Sequence, residues 1–264
     1  MSKWADNRKR NILIVVGIII FVVVVAIGVF ATDKKPTCTD SIQNGTESGV
    51  DCGGACSKVC KDEVRDIVVW WERPFRVAHG VYNTVAYIEN QNLESGIQEV
   101  KYEFRLYDKD NIIVSEPRIG TTFIEANKRS AIFESGITTG DHEAYTAFFK
   151  ISSIQNWERT NLAFSYTLFK VGEPILSNQE ISPKISAPIE NTSFYTCTDL
   201  PVVVIVYNSE GNAIASSQTY IDTLERNSTA NIYFSWPEPF TDSVSRIEII
   251  PRVDPFTPLE QLTR

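Results

Sequence analysis

Histidine is nearly absent from this sequence: the 264 residues contain only His79 and His142. The chain has no H-E-x-x-H zinc motif, no G-x-S-x-G nucleophile motif and no phosphate-binding P-loop. His142 lies in the polar stretch TTGDHEAY, which indicates a turn. The 33 acidic residues are so numerous that close carboxylate pairs carry no information about glycosidase chemistry. We therefore assign no catalytic, cofactor-binding or metal-binding residue from the sequence.

A helical apolar period is also lacking after residue 31. Short apolar or alternating segments recur instead, separated by Asn, Gly, Asp and Pro, which is the pattern of β-strands joined by tight turns. Typical segments are DIVVWWE, VYNTVAYIEN, EVKYEFRLYD, NIIVSEP, LAFSYTLFK and PVVVIVYN. The sequence predicts an all-β fold after the N-terminal region, organised as two tandem immunoglobulin-like (Ig-like) β-sandwiches.

Charge is absent from Ile12 to Ala31, a run of 20 residues rich in Val and Ile. A helix of about 20 residues covers the ~30 Å hydrocarbon core of a bilayer, so the run predicts a single transmembrane α-helix. The alternative is a cleaved signal peptide, because VFA precedes Thr32 as a cleavage site would. The apolar region of a signal peptide is usually about 7–15 residues, which favours the uncleaved membrane anchor.

The charges before this run predict its orientation. Lys3, Arg8, Lys9 and Arg10 outnumber the single Asp6 there. The positive-inside rule therefore places the tail in the cytoplasm and the rest of the chain outside the cell, in a single-pass protein of the cell membrane. The net charge of −8 becomes more negative once these bases are set aside, which argues against binding to nucleic acid.

Four of the five cysteines fall between residues 38 and 60: Cys38, Cys52, Cys56 and Cys60. Outside a membrane, closely spaced cysteines favour disulfides, so we predict two bridges whose pairing the sequence leaves open. A zinc site is the alternative, although Cys38 stands apart from a paired-knuckle pattern. Redox chemistry is a weaker one, because no C-x-x-C is present. The acids Asp40, Glu47 and Asp51 suggest either a calcium site or solvated surface charge.

This stretch resembles a small cysteine motif that recurs in bacterial surface and secreted proteins, C-x-D-x-I-Q-N-x-x-E-x-G-V-D-C-G-G-x-C. The matching residues are Cys38, Asp40, Ile42, Gln43, Asn44, Glu47, Gly49, Val50, Asp51, Cys52, Gly53, Gly54 and Cys56. The resemblance implies a stapled segment next to the membrane, with no catalytic role attached to it.

An internal repeat links two regions of the β-rich part. Tyr107-Asp108 aligns with Tyr207-Asn208 at an offset of 100, and the segments TFIEAN and TYIDTL follow in the same order. Both copies read as a strand, a polar hairpin and a further strand. We interpret them as a tandem duplication in which Asp108 and Asn208 start equivalent turns and both tyrosines cover a sheet edge with the hydroxyl in water.

The motif FRLYD, from Phe104 to Asp108, resembles the signature of the FxLYD family of bacterial extracytoplasmic β-sandwich modules, which typically follow a signal peptide or a single membrane helix. The likeness covers Val68 to Ile151, including VAYIENQN. The second copy keeps only Tyr207 and the turn residue, so its membership is a weaker match. The resemblance implies architecture and placement outside the cell, and no catalysis.

Two further features have competing interpretations. Trp70-Trp71 suggests either a sugar-stacking platform or one tryptophan in the core and one beneath the linker. Cys197, the odd cysteine, precedes the apolar run PVVVIVY, which favours a buried free thiol over an intermolecular bridge.

The predicted organisation is a cytoplasmic tail (1–11), a transmembrane helix (12–31), a disulfide-rich segment (32–62), a first Ig-like sandwich (63–170), a linker (171–190) and a second sandwich with a loose C-terminal tail (191–264). We expect a non-enzymatic surface protein that binds a protein or glycan partner. The alternatives are a structural spacer or assembly subunit of the cell envelope, and an enzyme acting on cell-wall glycan. An acid-lined pocket would favour the enzyme and an exposed aromatic patch would favour binding.

Overall fold

The computed structural model describes residues 3–32, 36–160 and 168–256, with side chains of the N-terminal helix described for residues 11–25. Two compact units are present, Met1–Asp51 and Cys52–Arg264. Within the described part, no helix is long and apolar enough to cross a membrane. Most of the predicted strand LAFSYTLFK and most of the predicted loose tail after Asp254 lie outside the described residues.

Described residues outside the N-terminal helix are mostly β-sheet, as predicted. The helix α1 covers Lys3–Thr32, and a 3₁₀ turn covers Lys61–Glu63. The strands are β1 (Lys58–Val59), β2 (Val68–Ala78), β3 (Val81–Asn90), β4 (Ser95–Tyr107), β5 (Arg118–Ile124), β6 (Lys128–Thr138), β7 (Thr146–Ile154), β8 (Trp157–Arg159), β9 (Phe169–Val171), β10 (Ile175–Ser177), β11 (Lys184–Asn191), β12 (Cys197–Tyr207), β13 (Ala213–Leu224), β14 (Thr229–Ser235) and β15 (Arg246–Pro251).

The described strands form four antiparallel sheets, all in the second unit. Sheet I contains β1, β8, β4, β5 and β7, and sheet II contains β2, β3 and β6. Sheet III contains β13, β12 and β15, and sheet IV contains β9, β10, β11 and β14. We call sheets I and II the first module, and sheets III and IV the second module.

Three apolar layers hold the sheets in the order I, II, III, IV. Ala86 and Ile88 on β3 pack with Phe104 on β4 between sheets I and II. The layer between sheets III and IV is built by alternate residues of β11 and β12 with their neighbours. A third layer lies between sheets II and III, and it joins the modules through residues that point away from both module cores.

The two modules repeat one topology at an offset of about 100 residues. Strands β3, β4, β5, β6 and β7 correspond in order to β11, β12, β13, β14 and β15. Their pairings correspond as well, because β4 pairs with β5 and β7 just as β12 pairs with β13 and β15. The internal repeat predicted from the sequence is therefore confirmed as a shared strand order and pairing.

The equivalent hairpins use the turn residues as expected. Asp108 Oδ1 accepts hydrogen bonds from the backbone N–H groups of Asp110 and Ile112, each at 2.9 Å. Asn208 Oδ1 does the same two and four residues further along its own hairpin, at 3.1 and 2.9 Å. Gly211 has a φ of 80°, which glycine adopts without strain.

Three expectations differ from the structure. Most of NIIVSEP is not a strand: only Ile113 makes an isolated bridge, and β5 begins after Pro117, which lacks a backbone donor. Residues 171–190, predicted as a linker with room for the first strand of the second module, contain two strands, β10 and most of β11, and alternate residues of β11 pack in the second module's core. Tyr207 does not reach water, because it is buried between the modules.

Candidate functional site

The four clustered cysteines are disulfide-bonded. Cys52 and Cys60, eight residues apart, form one bridge, and Cys38 and Cys56 are also in disulfide linkage. The disulfide prediction is confirmed, and a bridged cysteine has no thiolate to offer a zinc ion. The strand β1 lies inside the Cys52–Cys60 loop and pairs with β8. The bridge therefore ties this part of the segment to the first module.

Acidic side chains of the preceding loop bind backbone donors. Ser41 N–H donates to the Asp51 carboxylate at 2.9 Å, and Ile42 N–H donates to Asp40 at 3.0 Å. A hydrogen bond from the Asn44 amide is the main reason that the pKa of Asp40 lies below its usual value. These carboxylates shape a loop that has little apolar core of its own.

The remaining candidate side chains lie in three different elements, two exposed turns and the start of a buried strand. His79 is exposed in the turn between β2 and β3, and His142 is exposed in the turn before β7. Cys197 is a free, buried thiol at the start of β12, as predicted, and burial raises its pKa. The described structure therefore brings no histidine–cysteine pair together for nucleophilic chemistry.

The junction between the modules concentrates aromatic and charged side chains. The hydroxyl groups of Tyr87 in the first module and Tyr207 in the second both donate to the Glu248 carboxylate, at 2.7 and 2.9 Å. Burial raises the pKa of both tyrosines. Trp71 stacks on Tyr87 with ring centroids 5.3 Å apart. One carboxylate thus links both modules within an aromatic layer.

A cluster of buried charged side chains also connects the two modules. The Arg252 guanidinium donates to Thr122 Oγ1 at 3.0 Å and to the Phe123 carbonyl at 2.6 Å. The Glu125 carboxylate lies 3.6 Å from the same guanidinium and 3.4 Å from Lys128 Nζ. Burial raises the pKa of Glu125, but the charges of Lys128 and Arg252 outweigh it and hold that pKa below its usual value.

An open cleft of about 900 Å³ lies where β2, the β12–β13 hairpin and the β14–β15 loop meet. Arg76 Nη2 reaches across it to Glu238 Oε2 at 3.8 Å, so the two modules face each other over the opening. Arg73 holds the hairpin in place by donating to Asn212 Oδ1 and to the Ala213 carbonyl, each at 3.3 Å. The cleft is therefore bounded by residues of both modules.

The cleft walls combine carboxylates with aromatic rings. Its two arginines face five carboxyl groups, those of Glu72, Glu143, Glu210, Glu238 and Asp242. Its aromatic residues are Phe75, Tyr82, Tyr145, Trp236 and Phe240. Partial burial raises the pKa of the Glu72 carboxyl. Aromatic walls with a few polar groups are typical of ligand-binding clefts.

The tandem tryptophans of β2 occupy different environments. Trp71 is partly buried in the layer between the modules, so it packs between them and in neither module core. Trp70 is 52% exposed, its Nε1–H donates to Glu89 at 3.0 Å, and the Arg129 guanidinium lies 4.6 Å above its ring. Trp70 is therefore a surface residue of the junction.

The contact between the two modules is not among the predictions from the sequence, although the sequence of β12 contains a signal for it. The strand β4 alternates in KYEFRLY, whereas its equivalent β12 is apolar throughout in PVVVIVY. A continuous apolar strand indicates burial on both faces. Val202, Val204 and Val206 face the module core, while Val203 and Ile205 face the other module.

Comparison with known proteins does not identify a family. No family model matches the chain, and no curated protein matches it. Partly similar solved structures are a red sea bream transglutaminase (6% identity, TM-score 0.23, 71% of this chain and 29% of that chain) and a β-glucuronidase from glycoside hydrolase family 2 (10% identity, TM-score 0.21, 83% and 29%). The chain spans less than a third of either protein, and TM-scores this low carry no argument about fold or function.

Proposed function

We propose that this protein is a single-pass membrane protein whose two Ig-like modules bind a protein or glycan partner outside the cell, in the cleft between them, without catalysing a reaction. The observation that carries the proposal is the cleft itself, an opening of about 900 Å³ with aromatic and charged walls from both modules. Concave sites at the junction of two modules are preferred places for ligand binding.

The junction supports this role because it holds the cleft in one shape. The apolar layer between sheets II and III and the ion pair of Arg252 with Glu125 both connect the modules. A site held in its binding conformation loses less conformational freedom when the partner binds. The same rigidity would also serve a spacer, so the partner itself must be sought in the cleft.

The proposed membrane anchor rests on the uncharged run Ile12–Ala31 and the basic residues before it. The large apolar side chains described in α1, from Ile12 to Val25, are all exposed, and a bilayer would cover them. The disulfides fit the oxidising exterior that this orientation implies. Resemblance to the FxLYD family and to the bacterial cysteine motif supports the same placement.

Photo-crosslinking in intact cells tests the cleft. A photoreactive amino acid replaces Tyr145, which lines the cleft and is 74% exposed, in the full chain. The matched control carries it in place of Tyr233, which is 66% exposed on β14 outside the cleft. We expect a discrete adduct at Tyr145 only. Adducts at neither position, or equally at both, would contradict the proposal and favour the spacer.

An enzyme acting on glycan is the second candidate, and Glu72 is the observation that favours it. A carboxyl group with a raised pKa, among other carboxylates of a cleft, has the properties of a general acid. Incubation of the full chain with cell-wall glycan, followed by analysis of released sugars, decides this case. Release that Glu72→Gln abolishes would replace the binding proposal with catalysis.

A further inference from the structure

A second opening at the junction, separate from the cleft, is a groove of about 570 Å³. Its walls include four aromatic residues, Trp70 and Trp71 from β2, Tyr87 from β3 and Tyr207 from β12. Rings with few polar groups between them are typical of small-ligand sites. The groove is therefore a candidate binding site that draws residues from both modules.

Two arginines of the groove are held in place by these rings. The Arg129 guanidinium lies 4.6 Å from the Trp70 ring centre, and the Arg246 guanidinium lies 3.6 Å from that of Tyr207. Both side chains are about half exposed, at 52% and 56%. Stacking on an aromatic face fixes a guanidinium while leaving its edge available for hydrogen bonds.

The groove presents hydrogen-bond donors to a ligand more than acceptors. Its carboxylate, Glu248, already accepts bonds from Tyr87, Tyr207 and Arg246. Arg129 donates through Nε to Glu89 at 3.3 Å, and Arg246 donates through Nη1 to Glu248 at 3.0 Å. Tyr207 is a further side-chain hydrogen-bond partner of Arg246, and the half-exposed edges of both guanidinium groups carry the other N–H donors.

We propose that this groove binds an acidic saccharide, with a sugar ring against the indole of Trp70 and its carboxylate on Arg129 and Arg246. The apolar C–H face of a sugar matches an aromatic ring, and a carboxylate matches the fork of a guanidinium. The volume of the groove suits a short oligosaccharide. The inference rests on the proposed binding role of the protein but not on the cleft, so the groove and the cleft can each be refuted without the other.

Calorimetric titration of the full chain in detergent with trigalacturonate tests the inference. Neutral galactotriose supplies the rings without the carboxylates, and acetate supplies the carboxylate without a ring. We expect trigalacturonate alone to bind measurably at millimolar concentration. Arg129→Gln and Arg246→Gln should each weaken that binding at least tenfold, because each removes a charged hydrogen-bond donor.

Arg118→Gln is the matched control. It removes an arginine of similar exposure that is ion-paired with Glu134 and lies outside the groove, so the affinity should stay at the wild-type value. Thermal unfolding of each variant shows whether it is folded. Failure of trigalacturonate to bind, equal binding of galactotriose, or unchanged affinity in both folded groove variants would overturn the inference. The crosslinking at Tyr145 has no bearing on these outcomes.

Discussion

Arg252 at the end of β15 and Glu125 at the end of β5 form a buried ion pair between the two modules. The Arg252 Nη2 atom lies 3.6 Å from Glu125 Oε2, and the side chains are only 7% and 2% exposed. The repeat equivalent of Glu125 is Glu225, which is exposed. The pair is therefore a property of the junction and not of the module fold.

Replacement of Arg252 by Met should lower the free energy of unfolding by about 3 kcal/mol, because it leaves Glu125 buried without its partner from the second module. Urea denaturation of the full chain in detergent measures this. The control Arg118→Met removes a partly exposed pair, Arg118 with Glu134, and should change stability by about 1 kcal/mol or less. Similar losses in the two variants would mean that the buried pair does not hold the junction.

Glu125 should also contribute to acid sensitivity. Its pKa is lower in the folded chain than in the unfolded chain, where a glutamate titrates near 4.3. Its contribution is therefore fully present above about pH 4.3 and is lost as the pH falls through the lower, folded pKa. Below about pH 4.3, the stability of the wild type should fall more steeply with acidification than that of Glu125→Gln. The exposed-site variant Glu225→Gln should keep the wild-type slope.

The contribution of the apolar layer to coupling the modules can be tested by exchanging two residues at equivalent positions of the repeat. Ile205 on β12 is buried at the junction, whereas Arg105 occupies the equivalent position on the outer face of β4. Ile205→Arg should reduce the free energy of unfolding by about 3 kcal/mol or more and separate the unfolding of the two modules into two transitions, because it places an unpaired charge between them.

The reciprocal change, Arg105→Ile, is the control for that experiment. It disturbs the partly exposed ion pair with Glu103 and a side-chain hydrogen bond with Tyr107, so it should leave a single transition and shift stability by about 1 kcal/mol or less. If Ile205→Arg also unfolds in one transition with little loss, the layer between sheets II and III does not couple the modules.

Much of the fold follows from local pattern. Alternation in KYEFRLY and the turn residues Asp108 and Asn208 predict strands and hairpins, because they are set by neighbours along the chain. Because the two copies align at an offset of about 100 residues, a strand predicted in one module also predicts its equivalent in the other. The repeat alone predicts Tyr207 at a sheet edge like Tyr107, whereas the apolar neighbours of Tyr207 in PVVVIVY indicate burial on both faces and therefore the stacking of the modules.

The cleft and the groove were less predictable for a different reason. Arg73 and Tyr87 are separated along the chain from the second-module residues that they contact, Asn212 and Glu248, and nothing in the sequence fixes how two modules are placed. The disulfides, in contrast, are predictable from the sequence. Cys52 and Cys60 are close along the chain, and an oxidising exterior predicts that they are bridged, although it does not predict which cysteines pair.

Two buried asparagines offer a matched test of the modules themselves. Asn90 Nδ2 donates to the carbonyl groups of Ser95 and Glu125, and Asn191 Nδ2 donates to those of Tyr195 and Leu224. Each change to Ala should reduce the free energy of unfolding by about 2–3 kcal/mol, since buried carbonyls lose their donor.

Asn231→Ala, at an exposed position of β14, is the control for these asparagine variants and should change stability by about 0.5 kcal/mol or less. Urea denaturation of all three variants gives the comparison. If the free energy of unfolding falls no more in Asn90→Ala or Asn191→Ala than in Asn231→Ala, ordered water replaces the lost amide.

The Cys52–Cys60 bridge connects stability with the proposed topology. Cys60→Ser should lower the free energy of unfolding by about 2–3 kcal/mol, the loop-closure estimate for a bridge spanning eight residues. Non-reducing peptide mapping of the full chain from its native membrane should recover this bridge, with Cys197 as a free thiol. The reduced form of Cys52 and Cys60 in that sample, or bound zinc, would place the segment in a reducing compartment and contradict the proposed orientation.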